Sequence, residues 1–390
     1  MNDKNQNFIK TLGLIALISL IFAQSNFMRI TPLNNLSPDK DSHSILKMPV
    51  VATYTYSAPI AIDGNSELTS FIADKEFSGE GTSTSPYFIE NCSIFASSTN
   101  GIDIRNTDAH LIIRNCRISG GSSGEHDGIY FQRSSNITIT NNTMINNYWG
   151  IFLRYSPNNI ISHNFVNNSY SFGITCYSGS DNCLILENNV SHCDWGITIT
   201  DSDNSVISEN NLTFNGDAVY LNNHCENCTI SENSITNNTV GVNLYADCCS
   251  NTIFGNNLRY NYRLGIEIDN DCNNNLVYFN DVCGNVKGQA EELHESLNNQ
   301  WDNGSVGNYW GDYQEKYPKA RNNSVFWRTP YEIDGSDLGV DHYPLVRSIL
   351  EYDSIKGIKI PGFPLVNMIF FISIGAILLR KRIRNQLFRK

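Results

Sequence analysis

Gly101-Ile-Asp-Ile104, Gly128-Ile-Tyr-Phe131, Gly150-Ile-Phe-Leu153, Gly173-Ile-Thr-Cys176, Gly196-Ile-Thr-Ile199, Ala218-Val-Tyr-Leu221, Gly241-Val-Asn-Leu244 and Gly265-Ile-Glu-Ile268 are variants of one phrase, recurring every 22 to 27 residues. A period of this length marks a solenoid or propeller. Each phrase reads as a period-2 strand whose two apolar residues face inward. Further along each repeat comes a second apolar position, filled by Ile113, Ile139, Ile161, Ile185, Ile207, Ile230, Ile253 and Val277. Three residues beyond it, from the second repeat on, stand Asn142, Asn164, Asn188, Asn210, Asn233, Asn256 and Asn280, and two residues after those another apolar residue, from Met144 to Val282. Stacked coils would lie about 4.7–4.9 Å apart. At that spacing each asparagine amide reaches the coils above and below, and asparagine tolerates the left-handed geometry of a sharp bend. The spacing therefore predicts an all-β fold, a single right-handed parallel β-helix of about eight to nine coils with three short strands per coil and terminal caps.

Composition bounds the partners. The 390-residue chain carries a net charge of −12, and residues 24–379, without the basic ends, carry about −19. Such a surface repels nucleic acid and anionic membrane faces, so no nucleic-acid partner is expected. It also disfavours polyuronic acids unless a divalent cation bridges.

The ends read as membrane signals. Phe8 to Ala23 is an apolar run flanked by Lys4 and Lys10, giving a signal peptide or signal anchor over 1–25. A linker is expected at 26–52, the β-helix with its N-terminal cap at 53–297, a C-terminal cap at 298–347 and a second linker at 348–360. Residues 361–379 are apolar enough for a transmembrane helix. The basic tail 380–390 then stays cytoplasmic, leaving the β-helix extracellular or periplasmic on the cell membrane.

The Gly-Ile-x-Ile and Asn-x-x-Ile-x-x-Asn-x-Ile patterns over residues 80–285 resemble the right-handed parallel β-helix repeat of NosD-like proteins and polysaccharide-active enzymes. Asn299-Gln-Trp301-Asp302 with Asn308-Tyr-Trp310-Gly-Asp-Tyr313, followed by Asp341-His-Tyr343-Pro-Leu345, resembles the closing cap of NosD-like and archaeal surface β-helix proteins. Pro361-Gly-Phe363, the apolar segment and the basic tail resemble an archaeal PGF-CTERM sorting signal. These resemblances imply the fold and a cell-surface setting. They do not choose a function, because such repeats serve lyases, hydrolases, copper-related accessory proteins and surface spacers.

Three groups of residues carry the candidate chemistry. On the outward side of the first strand, Tyr130, Phe152, Arg154, Tyr177, Tyr220 and Tyr245 place aromatic faces beside hydrogen-bonding groups, which suits sugar rings. The alternative is a stabilising aromatic ladder. Trp149, Phe172 and Trp195 precede the glycine in three successive repeats, with their direction left open. Glu267 and Asp269 are the candidate acids for a polysaccharide lyase or glycoside hydrolase. Finally Cys225, Cys248 and Cys272 stack, each preceded by His224, Asp247 or Asp271, as a site for zinc or copper or as an inter-coil disulfide. The sequence reading is a membrane-anchored surface module that binds carbohydrate or plays a structural role, with the polysaccharide enzyme and the NosD-like copper-handling accessory protein as alternatives.

Overall fold

The computed structural model describes residues 56–354, apart from 122–123, 270, 294–295 and 337. The expected signal (1–25), the linker 26–52, the membrane span 361–379 and the basic tail 380–390 lie outside the described residues. Among the described residues, no helix is long and apolar enough to cross a membrane.

Each repeat folds into one coil of a right-handed parallel β-solenoid. The coil beginning at Gly150 gives Ile151–Arg154 to sheet 1, Ile160–Ser162 to sheet 2 and Phe165–Asn167 to sheet 3. Among the described residues these sheets hold ten, nine and ten strands. Pairing is in register, so Ile151 faces Ile129 on one side and Ile174 on the other. Like residues therefore form columns, and the inward column of isoleucine, valine and leucine is a continuous core. The opening glycine answers a close approach between coils. A Cβ at Gly150 would stand 2.4 Å from the Gly173 carbonyl oxygen and 2.5 Å from Val166.

Sharp bends leave backbone groups that the sheets cannot pair, and buried side chains satisfy them. The backbone N–H of Asn142 donates to Asn164 Oδ1 at 3.0 Å, while Asn142 Nδ2 donates to the Ile113 carbonyl at 2.9 Å. The pattern repeats through Asn188, Asn210, Asn233, Asn256 and Asn280, and it ends on Asn308. A second amide column, Asn215, Asn238, Asn261 and Asn285, does the same between sheets 3 and 1. A serine column, Ser134, Ser156, Ser180 and Ser202, serves the bend after sheet 1, each backbone N–H donating to the next hydroxyl at 3.0–3.1 Å.

Both ends of the core are covered. Gly64 is followed by a helix, Asn65–Asp74, whose Leu68 and Ile72 are buried over the first coil. These residues repeat at i, i+4, a helical signal inside a chain that otherwise reads as strand. At the other end Trp301 and Trp310 are buried, with their indole N–H groups donating to Glu292 and Asp341 at 2.8 Å. Trp310 stacks on Tyr331 at 4.3 Å and Tyr313 on Trp327 at 4.7 Å. Capping of this kind shields an otherwise open apolar layer and an unpaired edge.

The ladder makes a specific prediction. Asn210→Ala removes donors to Ile185 and Ser208 and strands the N–H of Asn188. It should lower unfolding stability by about 2–4 kcal/mol, since each unmet buried group costs about 1–3 kcal/mol. Its exposed neighbour Asn211→Ala should stay within about 0.5 kcal/mol. Denaturant melts of both variants test this.

Candidate functional site

The outer face of sheet 1 carries three parallel columns. The middle of each strand gives Tyr130, Phe152, Thr175, Thr198, Tyr220, Asn243 and Glu267, all in register. Two residues on come Gln132, Arg154, Tyr177, Thr200, Asn222 and Tyr245. The residue before each opening glycine joins the same face, because Phe172 pairs with Trp195 and Trp195 with Asp217. That settles where Trp149, Phe172 and Trp195 point.

The rings of these columns interlock. Tyr130 stacks on Phe152 and Phe152 tilts against Tyr177, both at 5.8 Å between centroids. Trp149 lies 4.2 Å from Phe152, Phe172 5.0 Å from Trp195, Trp195 6.3 Å from Tyr220, and Tyr220 6.3 Å from Tyr245. The result is one aromatic strip crossing six coils. The sequence expectation treated its members alike, and the structure separates them. Phe152 is only 6 % exposed beneath Trp149, whereas Tyr177 and Tyr245 are 36 % and 46 % exposed. Thr175 and Thr198 face outward yet are buried among the larger rings, and neither hydroxyl has a protein partner.

Carboxylates bracket the strip. Asp127 and Asp217 occupy the column of Trp149, Phe172 and Trp195, one on each side of the three rings. Burial pushes the Asp127 carboxyl up to about 8, opposed by a backbone N–H from Trp149. Burial also raises Asp217, against a 3.0 Å bond from Asn243 Nδ2. Glu267 is buried and raised by desolvation, with Arg263 as its ion-pair partner. Asp269 lies just past the strand Leu264–Ile268, its backbone N–H on the Leu244 carbonyl. The structure thus groups Glu267 with Arg263, Asn243 and Asp217. Asp217 and Arg263 were missed in the sequence because only their position relative to the residue that opens the repeat marks them, Asp217 one residue before Ala218 and Arg263 two residues before Gly265.

The cysteine edge divides in two. His224, Asp247 and Asp271 are left-handed (φ 61°, 59° and 63°) and exposed, and each such bend turns the next residue inward. Cys225, Cys248 and Cys272 are therefore fully buried. They continue the serine column: Cys248 N–H donates to Cys272 Sγ at 3.4 Å, and Cys225 Sγ to the Ile199 carbonyl at 3.3 Å. Hydrogen bonding with Cys225 and Cys272, together with burial, holds Cys248 well above the ordinary thiol range. Outside, His224 Nδ1 meets Asp247 Oδ2 at 3.5 Å. The expected convergence of thiol, imidazole and carboxylate does not occur, since they stand on opposite sides of one wall. All eleven cysteines are free thiols. Among the described residues no group of three or more His, Cys, Asp or Glu side chains could hold a metal ion.

Fold and face together define a parallel β-solenoid with an aromatic-lined first sheet. The family model described as periplasmic copper-binding protein (NosD) matches residues 61–247 and 175–315, and the chain belongs to that family. No curated protein sequence matches it. Among solved structures it is similar in fold to the periplasmic alginate epimerase AlgG, at 17 % identity and TM-score 0.42, over 60 % of this chain and 72 % of that one. It is likewise similar to the A-module of the Azotobacter vinelandii mannuronan C-5 epimerase AlgE6, at 14 % identity and TM-score 0.47, over 64 % and 70 % of the two chains.

Two predictions follow from this geometry. With its pKa raised from 3.8 to about 8, Asp127 binds its proton more tightly in the folded chain. Its contribution to stability is full below pH ~4 and is lost as pH rises through about 8. Asp127→Asn should flatten that decline in urea midpoints measured across pH 4–9. Separately, Cys248→Ser restores the hydroxyl used earlier in the same column and should change stability by less than about 1 kcal/mol. Cys248→Leu, which cannot donate or accept, should cost about 2 kcal/mol or more in the same melts.

Proposed function

We propose that this protein is a glycan-binding module whose first sheet lays an oligosaccharide along the aromatic strip. One observation carries the reading: the strip runs unbroken from Tyr130 to Tyr245. At about 4.8 Å per coil it is roughly 24 Å long. Flat rings in a row suit the apolar faces of successive sugars, and a rigid sheet fixes them without an ordering cost. Polar groups alternate with the rings, as Gln132, Arg154, Thr200 and Asn222 in the neighbouring column. In this reading the module is exported and held at the cell surface by the apolar segment 361–379.

The face supports binding more than turnover. Glu267 is engaged by Arg263 and Asp217 by Asn243, and Asp127, whose Oδ1 has no hydrogen-bond partner, stands four coils from Asp217, about 19 Å and beyond the separation a glycosidase pair needs. Copper, which the family description names, does not fit the residues present on the cysteine edge. Its soft thiol donors point into the core as hydrogen-bonded thiols, and its imidazole and carboxylates point away from them.

The test is affinity electrophoresis and calorimetry against a panel of polysaccharides. Tyr177→Ala and Tyr245→Ala should each weaken binding roughly three- to tenfold, the worth of one aromatic contact. Binding that is indifferent to both substitutions, or no binding anywhere in the panel, would overturn the proposal.

A further inference from the structure

The strip is electrically lopsided. Its C-terminal half carries Asp217, Glu267 and the nearby Glu291 against Arg263. Its N-terminal half gathers Arg105, Arg133 and Arg154 on three adjacent coils. Arg105 is held by Asp103 at 2.8 Å, which leaves that pair neutral. Arg133 and Arg154 form no ion pair with a carboxylate among the described residues. Instead both guanidinium groups lie over the same ring, Tyr155, at 5.6 Å and 5.2 Å from its centroid, and Arg154 also reaches Tyr177 at 6.0 Å. Tyr155 and Tyr177 are 41 % and 36 % exposed, Arg133 is exposed and Arg154 is half-buried.

Two unpaired cations on adjacent coils are an unfavourable arrangement. Coils lie about 4.8 Å apart, and Arg154 stands opposite Gln132 with Arg133 the next residue, so the two cations are diagonal neighbours on adjacent coils. The Arg133 N–H donates to the Arg154 carbonyl at 3.0 Å, so the backbone fixes the two close together. In a chain of net charge −12 a local cationic pair is the exception. The Nε of Arg154 is buried and lacks a protein partner. A planar oxyanion placed between the two guanidinium groups would accept charge-assisted hydrogen bonds from both and remove their mutual repulsion.

We propose that Arg133 and Arg154, with Tyr155 and Tyr177, form a subsite for an anionic sugar, a ring bearing a carboxylate or sulfate. This inference rests on the glycan-binding reading above and names its substrate class. It departs from the expectation from overall charge that acidic polysaccharides would be repelled, because these two arginines form no ion pair with a carboxylate among the described residues. The acidic C-terminal half then sets a direction, with the charged residue of the glycan at the Tyr155 end and neutral residues toward Tyr245. Single-stranded nucleic acid would use the same stacked rings and arginines. The acidic half of the strip opposes a continuous phosphate chain, so an isolated anion is favoured.

The experiment compares a neutral oligosaccharide carrying one terminal uronic acid, as the free acid and as its methyl ester, with a singly sulfated oligosaccharide and a single-stranded oligonucleotide alongside. The free acid should bind at least tenfold more tightly than the ester at low salt, with the difference shrinking as salt is added. Arg133→Gln/Arg154→Gln should bring that ratio close to one, while Arg133→Lys/Arg154→Lys should keep part of it. The sulfated probe distinguishes a general oxyanion site from one shaped for carboxylate. Equal binding of acid and ester, with the ratio unmoved by the double variant, would overturn this inference and leave the glycan-binding reading standing. Binding of neither would remove both, and preference for the oligonucleotide would replace the glycan by nucleic acid.

Discussion

The structure depends on satisfying backbone groups buried at the bends. A solenoid must turn its chain sharply three times per coil while keeping those turns inside a stack. Each turn leaves N–H and C=O groups that no strand can pair, and every such group left unmet costs about 1–3 kcal/mol. Side-chain amides solve this because one group both donates and accepts. Asn164, for example, accepts from Asn142 with Oδ1 and donates with Nδ2 to Ile139 and to Asn188. The inward columns of the repeat are thereby committed to core and ladder, which pushes any binding surface to the outward columns.

The same constraint explains the cysteines. Serine, cysteine and asparagine share bend positions along the stack, as when Cys116 N–H donates to Asn142 Oδ1, and Cys193 N–H to Asn215 Oδ1. A thiol in such a slot is a weaker version of a hydroxyl, turned inward by the left-handed residue before it. What looked like a convergence of ligands in the sequence is a register effect: adjacent residues of a bend share a coil height but lie on opposite sides of the wall.

On the outward side the column arrangement produces a different kind of order. Rings placed one per coil at a fixed height must stack or interleave, so the aromatic strip arises from periodicity and from ring size. Where Trp149 closes over Phe152 the strip becomes structural, and where Tyr177 and Tyr245 remain open it offers a surface. The charges follow the same geometry. Asp127 and Asp217 are desolvated because they flank bulky rings in one column, and Arg133 and Arg154 are brought together because their coils are adjacent.

The sequence by itself determined the coil, its three strands, the asparagine column and the outward positions of Tyr130 to Tyr245, because spacing along a repeat maps directly onto height in a stack. The helix Asn65–Asp74 was not read from the sequence, because its signal, Leu68 and Ile72 at i, i+4, spans a single turn inside a strand-rich context. Only the tertiary structure decided which outward rings stay open, which way Trp149, Phe172 and Trp195 point, and that Cys248 and Asp247 face apart. The reason is physical. Period fixes which residues share a column, whereas the direction of a side chain at a bend depends on the backbone handedness there. Its exposure depends on the size of neighbours on the same and adjacent coils, and neither quantity is written in the spacing.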